Sequence, residues 1–221
     1  YITGSSNNKF VNNTLRSNTY GIYLISNAND NILENNTINN NSDGISMIVS
    51  LRNNVTGNVI SSNSRGIYLN QRSHDNRIEN NSIPNSEGSA GIILFNSVLR
   101  TLIINNTIES STQSGIHLED GINDSRIIGN IINGTKQNAL LIYDAVINNT
   151  FINVTIKNTN PAYYDIFFRE GGANLTRLVN MPHIGNYSFN NTVGGTVVFE
   201  DTNFGEIKFL EAINGTGTNL T

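Results

Sequence analysis

The sequence predicts an all-β solenoid, a right-handed parallel β-helix with three strands per coil, and three observations point to it. A unit of 22 to 26 residues repeats seven times in phase: Asn-x-Φ-x-Asn-Asn-x-Φ with Φ apolar, a polar gap, then Gly-Ile-x-Leu. Each apolar piece is two to five residues long, rich in Ile, Val and Thr, alternates with period two and is bounded by Asn, Ser and Gly, as short strands are. No window carries the i, i+3, i+4, i+7 stripe of a helix at useful length. Units too short to bury a face alone must stack to make a core.

The first apolar column holds Phe10, Leu33, Val55, Ile78, Ile103, Ile127 and Phe151, and five residues later Leu15, Ile38, Ile60, Ile83, Ile108, Ile132 and Ile156 form the second. A third pairs Ile22 with Leu24, then Ile45/Met47, Ile67/Leu69, Ile92/Leu94, Ile116/Leu118, Leu140/Ile142 and Ile166/Phe168. Coils stacked at roughly 4.8 Å make a rod about 35 Å long. The second Asn of each doublet, at 13, 36, 58, 81, 106 and 130, ends at Val154 and is expected to form one corner ladder, each amide bonding the coils above and below in an αL corner. Gly21, Gly44, Gly66, Gly91 and Gly115 supply a second corner that needs positive φ or close backbone approach; Ala139 and Asp165 replace Gly in the last two coils.

Residues 1–170 are read as the regular repeats. Residues 171–221 are divergent C-terminal coils or strands of the same domain, with a separate β-module as the lesser alternative, ending in a linker-like tail from Asn214. Tyr1 precedes Phe10 by the spacing that separates Leu24 from Leu33, so the chain opens in mid-coil, and further coils or another subunit are expected to cover that end.

The Asn-Asn-[Ser/Thr]-Ile and Gly-Ile-x-Leu units resemble the parallel β-helix repeats of the carbohydrate-binding and sugar-hydrolase superfamily over residues 7 to 170. That superfamily includes periplasmic copper-enzyme maturation proteins, alginate epimerases and Asn-rich archaeal surface and adhesin-like proteins. The resemblance implies the fold strongly and the activity weakly, because the scaffold hosts lyases, epimerases, hydrolases and structural rods alike.

Composition points outside the cell. Asn accounts for 42 of 221 residues, and 15 Asn-x-[Ser/Thr] sequons begin at Asn12, Asn35, Asn40, Asn54, Asn80, Asn105, Asn123, Asn133, Asn148, Asn153, Asn174, Asn186, Asn190, Asn214 and Asn219. Repetition alone can generate the column at 12, 35, 80, 105 and 153; the others fall off it, and Asn40, Asn123, Asn133, Asn186 and Asn214 are the foremost candidates for glycosylation. The absence of Cys excludes disulfides and thiolate metal sites. A net charge of −4, with scattered Arg52, Arg65, Arg72 and Arg77 and no basic cluster, argues against nucleic acid. No apolar run is long enough to span a bilayer.

The outward positions of the third strand read Tyr23/Ile25, Ser46/Ile48, Tyr68/Asn70, Ile93/Phe95, His117/Glu119, Leu141/Tyr143 and Phe167/Arg169. Tyr23, Ile25, Ile48, Tyr68, Ile93, Phe95, Leu141, Tyr143 and Phe167 therefore form an apolar stripe where a solvated sheet is polar. Its cover is expected from the C-terminal segment, a neighbouring subunit, or sugar rings on the aromatic faces.

Catalytic candidates are few. Glu119 and Asp120 lie about one coil from Asp144, with His117 beside them and Asp124 in the following turn. Paired carboxylates can cleave a glycosidic bond, and clustered ones can hold Ca²⁺, the one cofactor considered. No Lys or Arg stands in the same column within those two coils, and ordinary turn carboxylates account for the Asp residues equally well. Ser73-His74-Asp75 resembles the Pro-His-Asp element of alginate epimerases with Ser in place of Pro, and His183 reads as a turn residue.

Low charge, regular ladders and abundant sequons favour a structural extracellular protein: an S-layer, sheath, filament or adhesin-stalk segment that pairs with itself or other surface proteins. A carbohydrate-binding or polysaccharide-active β-helix is the alternative, with glycans as its partner.

Overall fold

The computed structural model describes residues 1–169, 173–182, 184–189, 196–202 and 204–207. They form an all-β solenoid of about eight turns in which every strand pair is parallel. Strands of the first column, from Lys9–Val11 through Thr150–Ile152, build the first sheet, and those of the second, Thr14–Arg16 through Thr155–Lys157, the second. The third column begins at Tyr20–Ile25 and builds a third sheet, joined at its start by Ile2–Thr3. Register is strict: Ile22, Ile45, Ile67, Ile92, Ile116, Leu140 and Ile166 stand in one row.

The period-two pattern decides what is inside. All three columns are buried, apart from Phe10 and Leu15 in the opening coil, which are only partly covered against the same core. A fourth inward row, Ala28, Val98, Ile122 and Val146, fills the turn between the third and first sheets. Beyond residue 170, Thr176–Val179 and Val197–Glu200 extend the first sheet, while Ile184–Phe189 and Phe204–Ile207 extend the third.

Polar ladders occupy all three corners, where the sequence reading placed one. Between the first and second sheets, the Asn36 backbone N–H donates to Asn58 Oδ1 at 2.9 Å, and Asn58 Nδ2 donates to Asn81 Oδ1 at 2.9 Å and Leu33 O at 2.9 Å. Asn8, Asn31, Asn53 and Asn76 repeat this geometry ahead of the first sheet, and Asn41 and Asn63 ahead of the third. Each buried amide thus satisfies backbone groups that the tight turn leaves unpaired.

One local expectation is corrected, and of the two reasons offered for the glycine column the structure selects the second. The αL residue is the first Asn of the doublet, with φ of 59° at Asn12, 53° at Asn35 and 51° at Asn105; the second Asn cannot occupy that position because its amide must turn inward to the ladder. The Gly21 to Gly115 column has no positive φ. It is required by close approach: a Cβ on Gly44 would stand 2.5 Å from Ile60 Cγ2 and 2.6 Å from Gly66 O.

Candidate functional site

The outer face of the third sheet gathers most of the chain's chemistry. In parallel register, Tyr23, Ser46, Tyr68, Ile93, His117, Leu141 and Phe167 form one outward row. A second runs through Ile25, Ile48, Asn70, Phe95, Glu119 and Tyr143. Ile93 and Ser46 are buried and the other members are half-buried, because each side chain leans on its neighbour one coil away. The described tail strands extend the ends of sheets rather than crossing this face.

Aromatic rings are concentrated here. Tyr20 stacks on Tyr23 at 4.3 Å, with the Tyr1 ring edge-on at 5.2 Å. The Arg65 guanidinium lies 4.0 Å over the Tyr68 ring and grips buried Asp43 at 2.6 and 2.7 Å. Further along, Tyr164 stacks on Phe167 at 5.4 Å, and Arg169 lies 4.8 Å over Tyr143.

Among these rings the structure assembles the predicted carboxylates. His117 and Glu119 point outward from Ile116–Glu119, while Asp120 and Asp144 sit in the turns just after that strand and the next, with φ of 62° and 54°. His117 Nε2 lies 3.1 Å from Glu119 Oε2, but their alignment makes no hydrogen bond, leaving Nε2 buried and unpartnered. Burial holds the imidazole down at about 4, so it is neutral at pH 7. Glu119 is held above the ordinary carboxylate range by burial and then by the charges of Asp120 and Asp144, with Arg169 pulling the other way. Arg169, one coil beyond Asp144, is thus the cation of this cluster; its place in the outward row was visible in the spacing.

Two more polar atoms on the same face, Ser46 Oγ and Asn70 Oδ1, are also buried and unpartnered. Such atoms normally find a partner, and an unpaired one is costly. By contrast, the open polar groove lined by Ser17, Asn18, Thr19, Asn40, Asn41, Ser42, Ser62, Ser64 and Glu87 has no aromatic ring.

The other motifs resolve into structural roles. Ser73 is buried in a corner ladder, accepting from Ser50 N at 3.2 Å. His74 Nδ1 accepts from Leu99 N at 3.1 Å, and Asp75 pairs with Arg100 at 2.7 Å. Asp75 belongs to an alternating row at one corner, Asp30, Arg52, Asp75, Arg100, Asp124 and Asn148, all with positive φ. Within this row Arg52 pairs with Asp30 at 2.8 Å, and Asn148 Nδ2 donates to Asp124 Oδ1 at 2.7 Å.

The sequon residues Asn12, Asn35, Asn80, Asn105 and Asn153 stand exposed at αL corners between the first and second sheets. Asn40, Asn148 and Asn174 are also exposed, while Asn54, Asn123 and Asn133 are half-buried. Asn190, Asn214, Asn219, the linker-like tail and His183 lie outside the described residues, as does the side chain of Asn186.

The family described as "Periplasmic copper-binding protein (NosD)" matches residues 1–97, less than half of the chain. The copper in that description does not fit the residues present. The matched stretch has no Cys and offers only Met47, sealed in the core, and His74, whose Nδ1 is engaged. Among the described residues no group of three or more His, Cys, Asp or Glu side chains could hold a metal ion. No curated protein sequence matches the chain.

Solved structures do match. The periplasmic alginate epimerase AlgG aligns with a TM-score of 0.70 at 13% identity, over 88% of this chain and 50% of that one. The A-module of the mannuronan C-5 epimerase AlgE4 of Azotobacter vinelandii gives 0.65 at 14%, over 93% and 64%. The surface protein and adhesin PfbA of Streptococcus pneumoniae gives 0.53 at 12%, over 92% and 67%. The chain spans about half the length of the first of these. The class of protein is therefore a parallel β-helix of the right-handed type shared by polysaccharide-active proteins and adhesins. Among the described residues no helix is long and apolar enough to cross a membrane.

Proposed function

We propose that the chain is an extracytoplasmic carbohydrate-binding β-helix of the polysaccharide-active type, and that the outer face of its third sheet seats the glycan. One observation carries the reading: that face joins a row of half-buried aromatic rings to three buried, unpartnered polar atoms, Ser46 Oγ, Asn70 Oδ1 and His117 Nε2. Ring faces suit the C–H faces of sugars, and unpartnered polar atoms suit their hydroxyls. The parallel β-helix neighbours AlgG, a periplasmic alginate epimerase, and AlgE4, a mannuronan C-5 epimerase, together with the surface protein PfbA, are in keeping with it.

Chemistry at this face would centre on Glu119. A carboxyl group whose hold on its proton is strengthened by burial and then by two neighbouring carboxylates is the member of this cluster best suited to donate a proton to a leaving oxygen. Neutral His117 beside it is placed to orient that carboxyl group or a sugar hydroxyl.

Affinity electrophoresis through gels carrying soluble polysaccharides tests the reading. At least one polymer is expected to retard the chain, and Phe95→Ala with Tyr143→Ala should weaken that retardation about tenfold or more, at roughly 1 kcal/mol or more per lost ring. Retardation by no polymer, or retardation that the double variant leaves unchanged, would remove the third-sheet face as a glycan seat.

A second reading, a glycosylated surface rod that associates with copies of itself, is favoured by the regular exposure of the αL sequon column. Sedimentation of the same samples separates the two: it requires concentration-dependent assembly that Ile93→Ser with Phe95→Asp abolishes.

A further inference from the structure

We infer that the third-sheet face takes a neutral polysaccharide and rejects a polyuronate. The inference rests on the reading of this face as a glycan seat, and concerns the chemistry of what it seats.

Charge provides the first argument. Glu119, Asp120 and Asp144 converge on one stretch of the face, close enough for the two aspartates to raise the proton affinity of the glutamate. The cation acting there, Arg169, lies over the Tyr143 ring. The guanidinium further along, Arg65, is gripped by Asp43, whose side chain is only 3% exposed. Asp120 and Asp144, joined by Glu119 where it ionises, outnumber the one guanidinium and leave the cluster negative, and no group of three acidic or imidazole side chains among the described residues could hold a cation to bridge them to a carboxylated sugar.

The unpartnered atoms say what the face seats, which is hydroxyl groups, and the charge decides which hydroxyl-bearing polymer. Asn70 Oδ1 can only accept a hydrogen bond. A ring hydroxyl, which neutral sugars and uronates both carry, has the hydrogen to offer it, whereas the carboxylate that a uronate adds has none. Ser46 Oγ, on a residue only 1% exposed, and His117 Nε2 on a neutral ring likewise match groups that both donate and accept. Asn70 shares its outward row with Glu119, and Ser46 and His117 stand in the adjacent row, all within the span from Ser46 to Tyr143.

Geometry joins the two. Coils repeat at roughly 4.8 Å, close to the length of one sugar in an extended chain. A polymer laid across the strands therefore presents about one residue per coil. A polyuronate in that position brings a carboxylate to each coil and cannot pass the Glu119, Asp120 and Asp144 cluster without like-charge contact, which low ionic strength leaves unscreened.

The test uses the full chain and two sets of probes in affinity gels: neutral polymers (β-glucan, α-glucan, galactomannan and xylan) and uronates (polygalacturonate and alginate), each at about 20 mM and about 500 mM salt. A neutral polymer should retard the chain equally at both salts, and uronates should bind at least tenfold more weakly at low salt. The triple variant Glu119→Gln, Asp120→Asn and Asp144→Asn should gain uronate binding about tenfold. Both Asn replacements suit the positive φ of their positions, and a melting curve matching the parent confirms folding. Uronate binding as tight as neutral binding in the parent chain, or lost in the triple variant, overturns the inference while leaving the face a glycan seat. Retention by neither set overturns both.

Discussion

His117 is a residue whose environment was legible from spacing and whose ionisation was not. The repeat placed it outward between Ile93 and Leu141, and the structure keeps it there. Only the packing shows that its side chain is 16% exposed and its Nε2 unpartnered. Since burial lowers its folded value to about 4 against 6.5 for the free side chain, the unfolded chain binds the proton first as pH falls. Stability is therefore full above about pH 6.5 and is lost as pH drops toward 4, by roughly 3 kcal/mol for a shift of this size. Glu119, with its raised value, acts in the opposite sense, its penalty growing as pH rises through that value. Urea titrations from pH 7 to pH 4 should show a smaller loss of stability in His117→Leu than in the parent chain. Equal losses would mean that the imidazole titrates freely in the folded state.

At the scale of elements, the corners separate what the sequence disclosed from what it hid. The Asn13 to Asn130 column was visible because the doublet makes it conspicuous. The ladders through Asn31, Asn53 and Asn76 and through Asn41 and Asn63 have the same spacing, but a single Asn inside a polar gap carries no mark that distinguishes it from an ordinary turn residue. The alternating row of Asp30, Arg52, Asp75, Arg100 and Asp124 was equally present in the spacing; Arg52 read as scattered until the coils were stacked. A ladder amide is costly to remove because it serves several groups at once. Asn58→Ala strips the acceptor from the Asn36 backbone N–H and side-chain amide and the donor from Leu33 O, which should cost about 3 kcal/mol. Asn35→Gly, which keeps the positive φ of an exposed corner, should cost under about 1 kcal/mol. Chemical denaturation of the two variants reads this contrast directly, and similar costs would show that the ladder is not a principal source of corner stability.

At the scale of the molecule, strict coil register turns residues about 24 positions apart in sequence into neighbours about 4.8 Å apart. Seven repeats thus become two continuous outward rows with rings, hydroxyl-matching atoms and carboxylates on one face. The columns fixed which side chains enter the core. They left open whether the outer rows meet a subunit, a tail or a sugar, because a half-buried stripe looks the same in sequence whatever covers it. The described tail strands extend the stack, and the unpartnered Ser46 Oγ, Asn70 Oδ1 and His117 Nε2 tip the reading toward a hydroxyl-bearing ligand. Hydroxyl-radical footprinting with and without a retained polysaccharide tests that claim most directly. Protection is predicted at Tyr23, Tyr68, Phe95, Tyr143 and Phe167, with none at exposed Val59 and Ile131 on the second sheet. Protection centred on the second sheet, or spread evenly around the rod, would contradict the account.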